Sequence, residues 1–101
     1  MNFVNLTPHS IDLPSTSIPT SGTVARVTVQ RTPLGNVDGV TLVRSTFGDP
    51  VDLPDPRPDT IFVVSALVQS ACPDRDDLAV PGDLVRDDAG RITGCLNLSL
   101  T

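Results

Sequence analysis

Hydrophobic and polar positions alternate most strictly at the end of the chain. Ile92, Leu96, Leu98 and Leu100 fall on one side of residues 92–100, and Thr93, Cys95, Asn97 and Ser99 on the other. That period of two is the mark of a half-buried strand. Leu84-Val85-Arg86 and the turn Asp87-Asp88-Ala89-Gly90 precede it and complete the clearest predicted hairpin. Residues 23–29 alternate as well, with Ala25, Val27 and Val29 opposite Val24, Arg26 and Thr28. A loop at Pro33-Leu34-Gly35-Asn36 and a hairpin-type Asp38-Gly39 turn should separate that strand from another at Val40–Phe47. Phe3-Val4-Asn5-Leu6 reads as a short first strand, and residues 10–13 as a second. Residues 14–22 and 74–82 read as loops.

Two segments break the alternation. Ile61-Phe62-Val63-Val64 is continuously apolar, as expected of a strand buried on both faces. Ser65 follows as a helix cap, residues 66–72 form the one predicted helix, and Pro73 ends it. Residues 48–59 carry prolines at 50, 54, 56 and 58. Such spacing favours an extended arm or edge-covering loop without ladder bonds. The expected fold is one mainly β domain, a small barrel or sandwich of short strands with one short helix.

Composition sharpens this picture. Every acid among the 101 residues is Asp and every base is Arg; there is no Glu, Lys, Trp or Tyr, but there are ten Pro and seven Gly. Asp, Pro and Gly belong to turns and caps rather than helix interiors. With 3% aromatic residues, the core must be aliphatic. The formal net charge of −5 disfavours nucleic acid and anionic membranes as partners, while leaving room for a local pocket lined by Arg. The start Met-Asn-Phe-Val-Asn lacks a basic n-region, no run approaches a membrane span, and cytoplasmic residence is the default expectation. Cys72 and Cys95 fit no CxxC or zinc spacing and read as small buried hydrophobes.

Candidate chemistry is sparse. His9, on the turn after Thr7-Pro8, is the one side chain that titrates near neutral pH unaided; a turn histidine is its structural alternative. Ser65 stands where a buried strand feeds a helix, a place suited to an anion as well as to an ordinary cap. Arg75, in Asp74-Arg75-Asp76-Asp77, either meets a ligand or pairs with its neighbours. Arg26 and Arg44 are reserve anion contacts. No EF-hand, nucleophile elbow or HExxH motif occurs, so no metal, cofactor or catalytic residue is assigned.

The order Asn5-Leu6-Thr7-Pro8-His9, Ser21-Gly22-Thr23-Val24-Ala25-Arg26-Val27, Thr46-Phe47-Gly48 and Leu53-Pro54-Asp55-Pro56 resembles a group of small single-domain proteins of bacteria and their phages. Val63-Val64-Ser65-Ala66-Leu67-Val68, Pro73-Asp74-Arg75-Asp76-Asp77 and residues 84–92 extend the likeness over nearly the whole chain. The resemblance implies origin and one-domain extent, with host-cell cytoplasm as the setting for a phage-encoded copy. By analogy with small oligomeric phage proteins, the leading expectation is non-enzymatic binding of a small anionic ligand, such as a nucleotide-derived host defence signal. The alternatives are a phage structural or protein-interaction module and a small hydrolase. A homo-oligomer is expected, because the leucines of the last strand have few elements to cover them.

Overall fold

Residues 61–64 lie at the centre of the fold. The computed structural model describes residues 2–100. Its elements, in chain order, are β1 (Asn2–Asn5), β2 (Ile11–Asp12), β3 (Ser17–Ile18), β4 (Val29–Val37), β5 (Val40–Phe47), β6 (Thr60–Val63), α1 (Ala66–Ala71), β7 (Leu78–Arg86) and β8 (Ile92–Leu100). The fold is therefore mainly β with one short helix. A four-stranded sheet has the order β1-β6-β7-β8, while β2–β3 and β4–β5 form separate two-stranded ribbons. No described helix is long and apolar enough to cross a membrane.

Burial explains the central position of β6. Phe62, Val63 and Val64 are fully buried, as a continuous apolar run requires. Phe62 and Val64 join Leu6, Ala25, Val68 and Leu78 in the main core, under α1. Ile61, on the opposite face by strand alternation, lines a groove with Leu13 and Ile18 from the β2–β3 ribbon. Ser65 caps α1 by accepting the Val68 N–H at 3.3 Å. The Gln69 amide donates to the carbonyls of Leu78 at 3.2 Å and Ser99 at 3.0 Å, tying the helix to β7 and β8.

The barrel expectation fails because the sheet is open. β1 runs parallel to β6 and β6 parallel to β7, whereas β7 and β8 are antiparallel. The two edges, β1 and β8, never meet. The β6–α1–β7 segment is a parallel crossover within this sheet.

Several boundaries also differ. Residues 23–28 alternate as expected and Ala25 is buried, but their neighbours are loops, so no ladder forms. The Ala25 N–H donates to the Leu6 carbonyl, and Arg26 makes an isolated bridge with Val51. The expected loop at residues 33–36 belongs to β4. A bulge between Pro33 and Gly35, with Gly35 at φ 133°, absorbs the Pro-Leu-Gly sequence. Asp38 at φ 50° and Gly39 at φ 81° do form the expected hairpin turn, of the type needing left-handed backbone at both positions. Within the expected 74–82 loop, Leu78 and Ala79 already pair with Phe62 and Val63. The proline-rich arm lies on the body, with Leu53 packed against the core.

Arg75 and Asp77 fasten that arm. The Arg75 Nε and Nη2 donate to the two Asp77 carboxylate oxygens at 2.8 Å each, and Nη2 also donates to the Pro54 carbonyl at 3.1 Å. The guanidinium lies 5.9 Å from the Phe62 ring centroid, within cation–π range. The hydrogen bonds from Arg75 hold the Asp77 carboxyl below its ordinary value of 3.8. The folded state thus binds fewer protons here than the unfolded chain. The contribution is fully present above the unfolded pKa and is lost as pH falls through the depressed folded value. Asp77→Asn should cost about 1–3 kcal/mol at neutral pH, measured by urea unfolding, and should flatten the loss of stability at acid pH. An unchanged midpoint would show that the clasp contributes nothing.

Candidate ligand-binding site

Asn5 builds the loop that carries His9. It ends β1 and is 1% exposed. Its side-chain amide nitrogen donates to the carbonyls of His9 at 2.8 Å and Ile18 at 3.1 Å. Its side-chain oxygen accepts from the Thr7 N–H at 2.9 Å and the Thr7 hydroxyl at 2.6 Å. The backbone carbonyl of Asn5 accepts from the Ser21 N–H and hydroxyl at 3.1 and 2.7 Å. The Asn-Leu-Thr-Pro-His sequence is thus a turn closed on a buried carboxamide. Asn5 is a scaffold residue, and His9 stands exposed at the turn.

The chain leaves β1 through this turn and leaves β6 at Ser65. These are neighbouring carboxyl ends of parallel strands, where open sheets form crevices. His9 and Ser65 consequently line one cleft of about 500 Å³, with Thr7, Asp12 and Thr93 as further polar groups. Ile11, Val64, Pro81, Leu84 and Ile92 supply apolar wall. Gly94 permits this wall to close: a Cβ there would sit 2.6 Å from the Asp12 carbonyl oxygen. Asp12 accepts a hydrogen bond from the Ser17 hydroxyl at 2.9 Å. Cys95 also lines the cleft but is buried, and burial pushes its thiol pKa up.

The remaining candidates separate. Arg26 lines an adjoining groove of about 530 Å³ with Pro8, Ser65 and Leu67. Ser65 is therefore common to both depressions, and the Thr7-Pro8-His9 turn is the ridge between them. Arg44 lies on β5, exposed and opposite Thr32 in the β4–β5 hairpin, away from the cleft. Arg75 lies apart from this cleft, its Nε and Nη2 engaged by Asp77 and the Pro54 carbonyl. Asp12 and Thr93 were missed by sequence reasoning; β2 and β8, distant in the chain, bring them to the cleft by packing together. Among the described residues, no group of three or more His, Cys, Asp or Glu is placed to hold a metal ion.

Asn5→Ala should destabilise the protein by about 2–4 kcal/mol, because it leaves the buried Ile18 carbonyl and the Thr7 N–H without their partner. Asn5→Asp, nearly isosteric, should cost as much, since it keeps the acceptor but sets a carboxylate against two carbonyl oxygens. Chemical denaturation checks both; a tolerated Asp would refute the donor role. No protein-family model, curated protein or solved structure matches this chain.

Proposed function

We propose that the protein binds a small anionic ligand of nucleotide type without transforming it. The observation that carries this reading is the convergence of His9 and Ser65 on one cleft of about 500 Å³, a volume suited to a nucleotide-sized molecule. The apolar wall of Leu84, Ile92 and Pro81 suits a planar base. Asp12 and Thr93 suit sugar hydroxyls. Asp12 also repels phosphate, which sets the orientation: the anionic end belongs at the rim, beside His9 and Ser65 and towards Arg26. Charge-assisted hydrogen bonds from such groups are the strong ones.

The chemistry of the cleft favours binding over turnover. Burial keeps the Cys95 thiol in its neutral, weakly nucleophilic form. The Ser65 oxygen accepts a helix N–H and retains its own proton for donation to a ligand. In a phage-type setting, such a protein would sequester a nucleotide-derived host signal. A protein-interaction module is the second reading, favoured by the exposed β4–β5 hairpin.

Purified protein incubated with cyclic nucleotides and ADP-ribose derivatives, then washed and heat-denatured, should release one of them intact. His9→Ala, Ser65→Ala and Arg26→Ala should each weaken retention about tenfold or more, corresponding to roughly 1.5–3 kcal/mol. Arg44→Ala should leave retention unchanged. An altered compound would mean an enzyme, and no retention across the panel would leave the interaction module.

A further inference from the structure

The β4–β5 hairpin stands on its own. Its strands of nine and eight residues pair with each other, and all but Val29 are exposed. An isolated two-stranded hairpin is marginally stable in water. Yet its register is well specified: Asp38 and Gly39 make the turn, and the Thr41 hydroxyl donates to the Asn36 side-chain oxygen at 2.9 Å. Val37 pairs with Val40, and strand alternation puts Leu42 on the same face. These three side chains make an apolar tip, with Val40 60% exposed.

A second apolar surface lies on the central sheet. Phe3, Leu96, Leu98 and Leu100 line a shallow groove of about 560 Å³ on the face opposite α1, and Leu96 is 57% exposed. The β8 edge beside it is nine residues long and contains no charge and no proline, the usual guards of a free edge.

Size and charge both name the occupant. The chain exposes 6912 Å², against about 5,500 Å² for a compact monomer of its mass. Its radius of gyration is 16.2 Å, against about 13 Å for a compact domain of this length. The excess, about 1,400 Å², exceeds the roughly 800 Å² that each partner contributes to a standard interface. In the hairpin, Arg31 and Arg44 against Asp38 leave a charge of +1. The other five Arg against eleven Asp leave the rest of the chain at −6. The hairpin is thus opposite in net sign to the body of another copy, with Arg31 and Arg44 along its strands and Asp38 at its turn.

We infer that the β4–β5 arm docks on a second copy of this chain, its Val37–Val40–Leu42 tip seated on the groove of Phe3, Leu96, Leu98 and Leu100, with the exchange reciprocated about a two-fold axis. Each copy then covers the other's exposed leucines, and the arm acquires the packing it lacks alone. The inference is independent of the ligand cleft.

Light scattering at micromolar concentration should give about twice the 10.6 kDa of one chain. The double variant Val40→Asp with Leu42→Asp should fall to the monomer mass, as should Leu96→Asp with Leu100→Asp. All four side chains are largely exposed in the single chain, so circular dichroism should show retained folding. A monomeric wild type would overturn the inference, as would a dimer that survives the arm substitutions. A dimer that survives only the β8 substitutions would overturn the assignment of the groove. If either variant fails to fold, hydrogen exchange on the wild type decides. Protection of the arm amides that rises with protein concentration supports the exchange, and arm amides unprotected at every concentration overturn it.

Discussion

The structure turns on one buried carboxamide. Asn5 ends β1, pairs beside Val63 of β6, and uses both its donor and its acceptor capacity on backbone and hydroxyl groups of the following turn and of β3. An amide buried this deeply is costly unless each partner is in place. The requirement fixes the direction in which the chain leaves β1 and the seat of the β2–β3 ribbon, while the Asn5 backbone carbonyl, accepting from Ser21, sets the path back over β1. The cleft exists because those paths diverge. His9 owes its position to its own backbone carbonyl, held by Asn5, so its imidazole is left unconstrained by that bond.

The same economy explains the exclusive use of Asp. Among the described residues, the positive-φ residues other than glycine are Asp38, Asp52, Asp59 and Asp83. A short side chain that can bond its own backbone tolerates the left-handed region far better than Glu does. Asp87 shows the related use: its carboxylate accepts the N–H groups of Ala89 and Arg91 at 2.9 Å each, closing the β7–β8 turn. Five of the twelve acids, Asp38, Asp52, Asp59, Asp83 and Asp87, thus serve tight backbone geometry, and part of the acidic net charge follows from it. Composition alone pointed to turns; it could not say which of the carboxylates make them.

Legibility followed the range of the interactions. Local signals were read well: the Ser65 cap, the helix (expected at 66–72, found at 66–71), the Asp38-Gly39 turn and the buried run of β6 depend on residues within one or two turns of each other. Failures came where pairing is distant. Nothing near Leu78 announces that it lies parallel to Phe62, and nothing near Arg26 announces that its neighbours are loops. Pro33 argued against a strand, yet β4 carries it beside a bulge in a ribbon with no third strand to demand its missing N–H. The site divided along the same line. His9 and Ser65 were legible as a turn and a cap, while Asp12 and Thr93 reach the cleft through tertiary contacts. Arg75 was legible only as a choice between ligand and neighbour, and the structure pairs it in bidentate fashion with Asp77.

The fold divides its stability and its surface between different parts of the chain. The fully buried large side chains are few, Phe62, Leu6, Leu78, Val63, Val64 and Val68 beside Asn5, and all belong to the strand–helix–strand body or the segment leading out of β1. The β4–β5 arm contributes no side chain to that core. Residues that cost conformational entropy without burying apolar area must recover it elsewhere or remain marginal. The arm has the marks of recovery rather than of neglect: a turn sequence that sets its register, a bulge that bends it, and apolar side chains held in paired positions. A flexible surface loop needs none of these. Local specification of this kind, in a hairpin that adds no side chain to the core of its own chain, supports the proposed association surface more than exposed hydrophobic residues, which every protein has.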